Sequence, residues 1–161
     1  MREKVGNIWK LAGAFDWVVI PTSIAFKADG TAVMGAGLAK QAVERWPDLA
    51  VDYGEQLFVH KAATPVLAHR PRGFNPRNLI LFPTKPFNPQ APHLGWRSPS
   101  DLELVQRSLR QLHDLIPTLS GGNIYIPDVG CGHGGLPLAI VRSKIAEQFK
   151  AVDRVVHVRS R

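Results

Sequence analysis

A three-layer α/β/α fold around a central mixed, mostly parallel sheet is what this chain predicts, and three observations carry the expectation. Short apolar runs alternate with longer amphipathic runs, the order in which a parallel sheet and its covering helices are built. Two glycine-rich turns, Val33-Met34-Gly35-Ala36-Gly37-Leu38 and Asp128-Val129-Gly130-Cys131-Gly132-His133-Gly134-Gly135-Leu136, each follow a strand-like run and lead into a helix-like run. The length of 161 residues, with 45% apolar and 20% charged residues, suits a single globular domain over residues 1–161.

Trp17-Val18-Val19-Ile20 reads as a short buried strand. Pro21-Thr22-Ser23 is expected to end it, because proline has no N–H for a central ladder. Residues 24–31 form a loop with Asp29-Gly30 as its turn. Residues 38–45 predict a helix, with Leu38, Ala39, Ala42 and Val43 on its apolar side and Pro47 closing it. Residues 48–56 suit a further short helix, and Leu57-Phe58-Val59 and Val66-Leu67-Ala68 read as edge strands. Asn78-Leu79-Ile80-Leu81-Phe82 is a strand. Residues 83–99 are rich in proline and read as a long irregular loop, a kind that often carries function. Ser100-Asp101-Leu102-Glu103 has the spacing of a capping box. The helix it opens would bury Leu102, Val105, Leu109, Leu112 and Ile116. Residues 123–126 form a strand, and residues 138–149 a helix with Ile140, Val141, Ile145 and Phe149 inward. Val155-Val156-His157-Val158 is the last strand, before the basic tip Arg159-Ser160-Arg161. No internal repeat and no dividing linker is visible.

The net charge of +7 favours anionic partners, either a phosphorylated small molecule or a nucleic acid. It equally suits a basic surface with no specific partner, since lysine and arginine are scattered. No apolar run approaches the ~20 residues that span a bilayer, and Met1-Arg2-Glu3-Lys4 is followed by no apolar signal segment. A cytoplasmic location without membrane attachment is therefore expected. A lone cysteine, Cys131, rules out an internal disulfide and fits a reducing compartment.

The glycine turns carry the chemistry. Glycine lets backbone approach a phosphate with no Cβ in the way, and N–H groups at a helix start point at negative charge. Two such loops far apart in sequence suggest a two-sided clamp on a diphosphate. Gly35 and Gly37 alone would also suit a tight turn, whereas Gly130, Gly132, Gly134 and Gly135 are too dense for one. Cys131 has no assignable His/Asn partner and reads as a small buried residue rather than a nucleophile. His133 titrates near neutrality and suits either a base or a surface position. His60, His69, His93, His113 and His157 show no metal-ligand spacing, so no metal is expected. Asp128 suits a cap of its turn. Trp96-Arg97 suits either base stacking or a loop anchor. Trp9, Trp17 and Trp46 read as core, and Arg70, Arg72 and Arg77 as a loose basic cluster.

Gly6-Asn7-Ile8, the strand end Pro21-Thr22-Ser23, and Val33-Met34-Gly35-Ala36-Gly37-Leu38-Ala39 resemble, in that order, motifs of the macro domain family. Leu81-Phe82-Pro83-Thr84-Lys85 and the stretch from Ile126-Pro127 through Gly134-Gly135-Leu136 extend the match over nearly the whole chain. It is most similar to the branch holding the terminal ADP-ribose glycohydrolase and the DNA ADP-ribosyl glycohydrolase antitoxins. The resemblance implies an ADP-ribose pocket at the carboxyl ends of the strands, where open α/β sheets bind ligands. It places Asn7 and Ile8 at the adenine, though Asn7 also suits a helix cap. Gly35, Gly37 and Leu38 would line the diphosphate and distal ribose, with Thr22 and Ser23 at the ribose end. Gly130, Cys131, Gly132, His133, Gly134, Gly135 and Leu136 would form the opposite wall. Lys85 would be catalytic, attacking or contacting the anomeric carbon of the distal ribose; by itself it reads as an ordinary surface lysine.

Two departures stand out. Ser23 occupies the place where related sequences commonly carry an asparagine, and His133-Gly134 offers no carboxylate where the terminal glycohydrolase has one. Residues 24–31 also exceed the matching loop of the DNA-acting antitoxins. The implied function is hydrolysis, without cofactor and by a monomer, of ADP-ribose from a modified substrate or of a derivative such as ADP-ribose 1″-phosphate. Nucleic acid is one such substrate. The alternative is a non-catalytic module that reads ADP-ribose.

Overall fold

The computed structural model describes residues 1–87 and 99–160. His93, Trp96, Arg97 and Arg161 lie outside the described residues, as does most of the proline-rich stretch. The strands are β1 (Arg2–Val5), β2 (Trp17–Ser23), β3 (Leu67–His69), β4 (Asn78–Lys85), β5 (Ile124–Pro127) and β6 (Val155–Arg159). Among the described residues they form one six-stranded sheet in the order β1-β6-β5-β2-β4-β3. All neighbours are parallel except the edge pair β3 and β4. The helices are α1 (Ile8–Leu11), α2 (Gly37–Arg45), α3 (Leu49–His60), α4 (Leu102–Leu115) and α5 (Leu138–Phe149).

Strand alternation sorts the core into two layers. Val18, Ile20, Leu79 and Leu81 face Ala42, Trp46, Leu49, Tyr53 and Leu57 of the α2–α3 side. Val19, Ile80, Phe82 and Ile126 face Val105, Leu109, Leu112, Val141, Ile145 and Phe149 of α4 and α5. The three-layer expectation holds, and Trp9, Trp17 and Trp46 are buried. Among the described residues no helix is long and apolar enough to cross a membrane.

Tertiary context corrects several local expectations. Pro21 does not end β2, which runs on to Ser23. The Trp17 N–H bonds the Asn123 carbonyl on the β5 side, so by alternation the missing N–H of Pro21 lies on that side too. There β5 pairs with β2 only at Trp17 and Val18, and no ladder bond is lost. Pro83-Thr84-Lys85 likewise continue β4 instead of opening a loop. β3 covers β4 only at Leu79–Leu81, and the Pro83 carbonyl accepts from Ser108 Oγ at 2.8 Å. Leu57-Phe58-Val59 is the last turn of α3, not an edge strand. Leu49, Tyr53 and Leu57 fall at i, i+4 and i+8 and are buried together, while Phe58 and Val59 face outward. The α4 N-cap is Asp101, whose carboxylate accepts from the Glu103 N–H, rather than Ser100. Ile140 lies exposed on α5, and Leu104 rather than Leu102 is buried on α4. β1 and α1 were not anticipated. β1 is exposed throughout and exists because β6 offers an edge.

Candidate functional site

β2 is the centre of the sheet, and the chain leaves it in opposite directions. After β2 the chain returns through β4 on one side, then crosses through α4 to β5 on the other. Such a reversal is where an open α/β sheet leaves a crevice beyond its strand ends. The register makes the crevice explicit. β2 stays with β4 as far as Ser23 opposite Lys85, but parts from β5 after Val18. A cavity of about 590 Å³ opens there, within the usual size range for small-molecule sites. Both glycine loops, the ends of β2, β4 and β6, and Asn7-Ile8 border it.

The first loop ends at Ala36, the N-cap of α2, which makes no side-chain capping bond. The N–H groups of that first turn are therefore available to an anion. Gly37 opens the helix at φ +57, in the left-handed region that favours glycine. Across the cavity, the second loop is folded on itself. Leu136 N–H donates to the Gly130 carbonyl at 3.0 Å and Gly135 N–H to the Gly132 carbonyl at 3.3 Å. Gly134 is forced by crowding: a Cβ there would lie 2.1 Å from Ser100 Oγ and 2.4 Å from the Gly130 carbonyl oxygen. Gly132 has open space around it and borders the cavity.

Lys85 is the last residue of β4, 8% exposed, and borders the cavity. Burial lowers its amine below the ordinary lysine value of 10.5. Beside it the strands are irregular. The pairing of β2 with β4 slips between Thr22 and Ser23, and Thr84 Oγ1 donates to the Thr22 carbonyl at 3.2 Å. Thr22 Oγ1 and Tyr53 Oη are 2.9 Å apart, and Ser23 Oγ accepts from the Ala25 N–H at 3.1 Å. Asn7 caps α1, its Oδ1 taking the Trp9 N–H at 2.9 Å, while also bordering the cavity.

The Asp128 side chain bonds across the molecule rather than capping its own turn. Its carboxylate receives His157 Nε2 at 2.7 Å, Arg142 Nη2 at 2.8 Å, and the N–H and hydroxyl of Ser160, each at 3.1 Å. Burial would raise this carboxyl, but the bonds from His157, Arg142 and Ser160 outweigh it and hold it well below the usual range. The network ties β5, α5 and the end of β6 together under the second loop. Burial, then the nearby Asp128 charge, pushes the Cys131 thiol up to about 11. A thiol that stays protonated is a poor nucleophile.

Most residues named from sequence meet in this one cavity. Asn7, Ile8, Thr22, Ser23 and Lys85 border it, as do Gly35, Gly37 and Leu38 of the first loop. So do Gly130, Cys131, Gly132, His133 and Gly134 of the second. Gly135 and Leu136 do not border it: Gly135 is exposed and Leu136 packs on the core. The Arg70, Arg72 and Arg77 cluster is spent on structure. Arg72 pairs with Asp52, Arg70 bonds Asn78, and Arg77 bonds the Ala12 and Gly13 carbonyls. Sequence reasoning missed Ser100, Arg159 and Ser160 at the cavity wall. Ser100 reads from sequence as a helix cap, and no local pattern marks Ser160, the residue just past β6.

No protein-family model matches the chain. A DNA ADP-ribosyl glycohydrolase from Thermus aquaticus is 32% identical over 125 residues, covering 76% of this chain and 32% of that protein. The chain thus spans about a third of the length of that curated relative. The macrodomain of Thermus aquaticus DarG matches with a TM-score of 0.74 and 28% identity, over 99% of this chain and 97% of that one. Thermosipho africanus DarTG in complex with ADP-ribose matches with a TM-score of 0.73 over 92% of this chain and 39% of that one. At 19% identity, this last likeness concerns the fold.

Proposed function

This chain belongs to the macro domain family and resembles the DarG macrodomains within it, and from that premise we propose that it releases ADP-ribose from a modified substrate. The observation that carries the reading is the position of Lys85, buried at the end of β4 in the same cavity as both glycine loops. The loops supply backbone N–H groups for the diphosphate. That contact orients the distal ribose toward the β4 end. The Lys85 amine attacks the anomeric carbon, or as an ammonium assists there, and the bond to the acceptor breaks. Water then completes the release and returns the amine. DNA is the acceptor class that the named Thermus relative suggests, and the net charge of +7 suits a polyanion.

The test uses an ADP-ribosylated DNA oligonucleotide, with free ADP-ribose followed by chromatography. Wild type is expected to release ADP-ribose. Lys85→Ala is expected to bind ADP-ribose nearly as tightly and release it slower by about 10²-fold or more.

A second reading, a non-catalytic reader, has one observation in its favour. Asp128 is the only acidic residue among the described residues of the cavity wall, and its carboxylate is engaged by His157, Arg142 and Ser160. No carboxylate there is left to activate water. Tight ADP-ribose binding with an intact oligonucleotide would select the reader.

A further inference from the structure

Among the described residues, hydroxyl groups around the Lys85 end of the cavity have partners, with one exception. Thr22 Oγ1 meets Tyr53, Ser23 Oγ takes the Ala25 N–H, and Thr84 Oγ1 donates to the Thr22 carbonyl. Ser100 Oγ has no hydrogen-bond partner among the described residues, although the residue is only 8% exposed. Buried hydroxyls without partners are rare, because the lost hydration goes unreplaced.

The position of Ser100 is tightly determined. Its N–H donates to the Gly134 carbonyl at 2.9 Å, and the N–H of the next residue, Asp101, donates to the Thr84 carbonyl at 2.9 Å. Ser100 therefore bridges the second glycine loop and the residue just before Lys85. Asp101, not Ser100, caps α4, so the hydroxyl has no capping duty. The loop also leaves space for it. Any Cβ at Gly134 would fall 2.1 Å from Ser100 Oγ, and one at Gly130 would fall 3.4 Å from it. Ser100 itself borders the cavity, and its χ1 has other staggered settings than the one that holds the hydroxyl against Gly134.

We propose that Ser100 is a ligand-binding residue whose hydroxyl hydrogen-bonds a hydroxyl of the ribose lying beside Lys85. The assignment rests on the ADP-ribose reading. Two features select a sugar hydroxyl over a phosphate. A serine hydroxyl both donates and accepts, as a ribose hydroxyl does, whereas the backbone N–H groups of the glycine loops only donate. Ser100 also stands at the seam nearest the end of β4. This gives Gly134 a purpose: its bare Cα makes room for the serine.

The experiment is calorimetric titration of wild type and Ser100→Ala with ADP-ribose and with ADP, beside thermal melts of both proteins without ligand. Removing an unpartnered buried hydroxyl is expected to leave the melting temperature unchanged or raised. ADP-ribose affinity is expected to fall about 3- to 10-fold, the worth of one hydrogen bond, with ADP affinity unchanged. An equal loss for both ligands places the contact on the diphosphate and overturns the assignment. So does an unchanged affinity for ADP-ribose, or a lowered melting temperature in the variant. Wild type that binds neither ligand overturns the ADP-ribose reading itself, a result distinct from binding that ignores the substitution.

Discussion

At Lys85 the proposed chemistry depends on the protonation state of one amine. Burial lowers it below 10.5, so the neutral nucleophile appears at lower pH than on an exposed lysine. On the nucleophilic route the rate of ADP-ribose release is expected to rise with pH through that lowered value and level off before pH reaches about 10.5, whereas ammonium assistance would make it fall across the same value. The same shift acts on folding. Between the folded value and 10.5 the unfolded chain holds the extra proton, so stability rises with pH across that window. Lys85→Met is expected to slow release as Lys85→Ala does and to flatten this part of the stability curve. A release profile still climbing above the ordinary lysine value would remove the amine from the mechanism. Asp128 carries the opposite kind of expectation, structural rather than chemical. Asp128→Asn leaves His157, which is 1% exposed, and Arg142 facing a neutral amide. The loss is expected to be about 2–4 kcal/mol, read as a melting temperature lower by about 5–10 °C. Because the folded carboxyl lies well below 3.8, its contribution is present above that value and fades as pH falls below it. Wild type and variant should therefore converge in stability in strong acid.

Elements were legible where their signals are local and illegible where a neighbour decides. The helix over residues 138–149 matches α5, since apolar spacing and flanking proline lie within the segment itself. Phe58 and Val59 suggested a strand by residue type, yet they close α3, because burial of Leu49, Tyr53 and Leu57 sets the period. Prolines were read as strand ends because the rule assumes ladders on both sides, and Pro21 sits where the β5 ladder has already stopped. Gly54 shows the same limit from the other side. In sequence it is a glycine inside a helix, a place where alanine ordinarily gains about 1 kcal/mol. In the structure a Cβ there would lie 2.0 Å from the Gly30 carbonyl oxygen and 3.0 Å from the Ala32 N. The α3 backbone thus touches the 24–32 loop directly, and that closeness also brings Tyr53 to Thr22 at the cavity. Gly54→Ala is expected to lose about 1–3 kcal/mol, seen as a lower melting temperature. A stabilised variant would mean that the loop is not held against α3.

At the scale of the whole molecule, both glycine loops were readable from sequence, but the cavity between them was not. It exists because β2 parts from β5 after two paired residues, a consequence of strand order that no segment encodes alone. Charge is likewise a global property, and its distribution bears on the acceptor. Several cations are neutralised by carboxylates, as Arg72 is by Asp52 and Arg142 by Asp128. Others rest on carbonyl oxygens, which order the side chain without cancelling its charge. Arg77 holds Ala12 and Gly13, Arg107 holds Ala62 and Thr64, and Arg154 holds Gly122, Ile116, Leu119 and Gly121. The net charge of +7 therefore remains available to a polyanion at long range. If the modified substrate is single-stranded DNA, its phosphates release counterions on binding, with a log–log salt slope of about −0.7 per phosphate engaged. Free ADP-ribose carries only its diphosphate and makes few such contacts. Anisotropy titrations of the slow Lys85→Ala protein with an ADP-ribosylated oligonucleotide, from about 50 to 200 mM salt, should give the steeper slope. The oligonucleotide is expected to exceed free ADP-ribose by about 2 in slope, the signature of roughly three further phosphates. Equal slopes would mean that the protein grips only the ADP-ribose, and that its positive charge plays no part in choosing what the ADP-ribose is attached to.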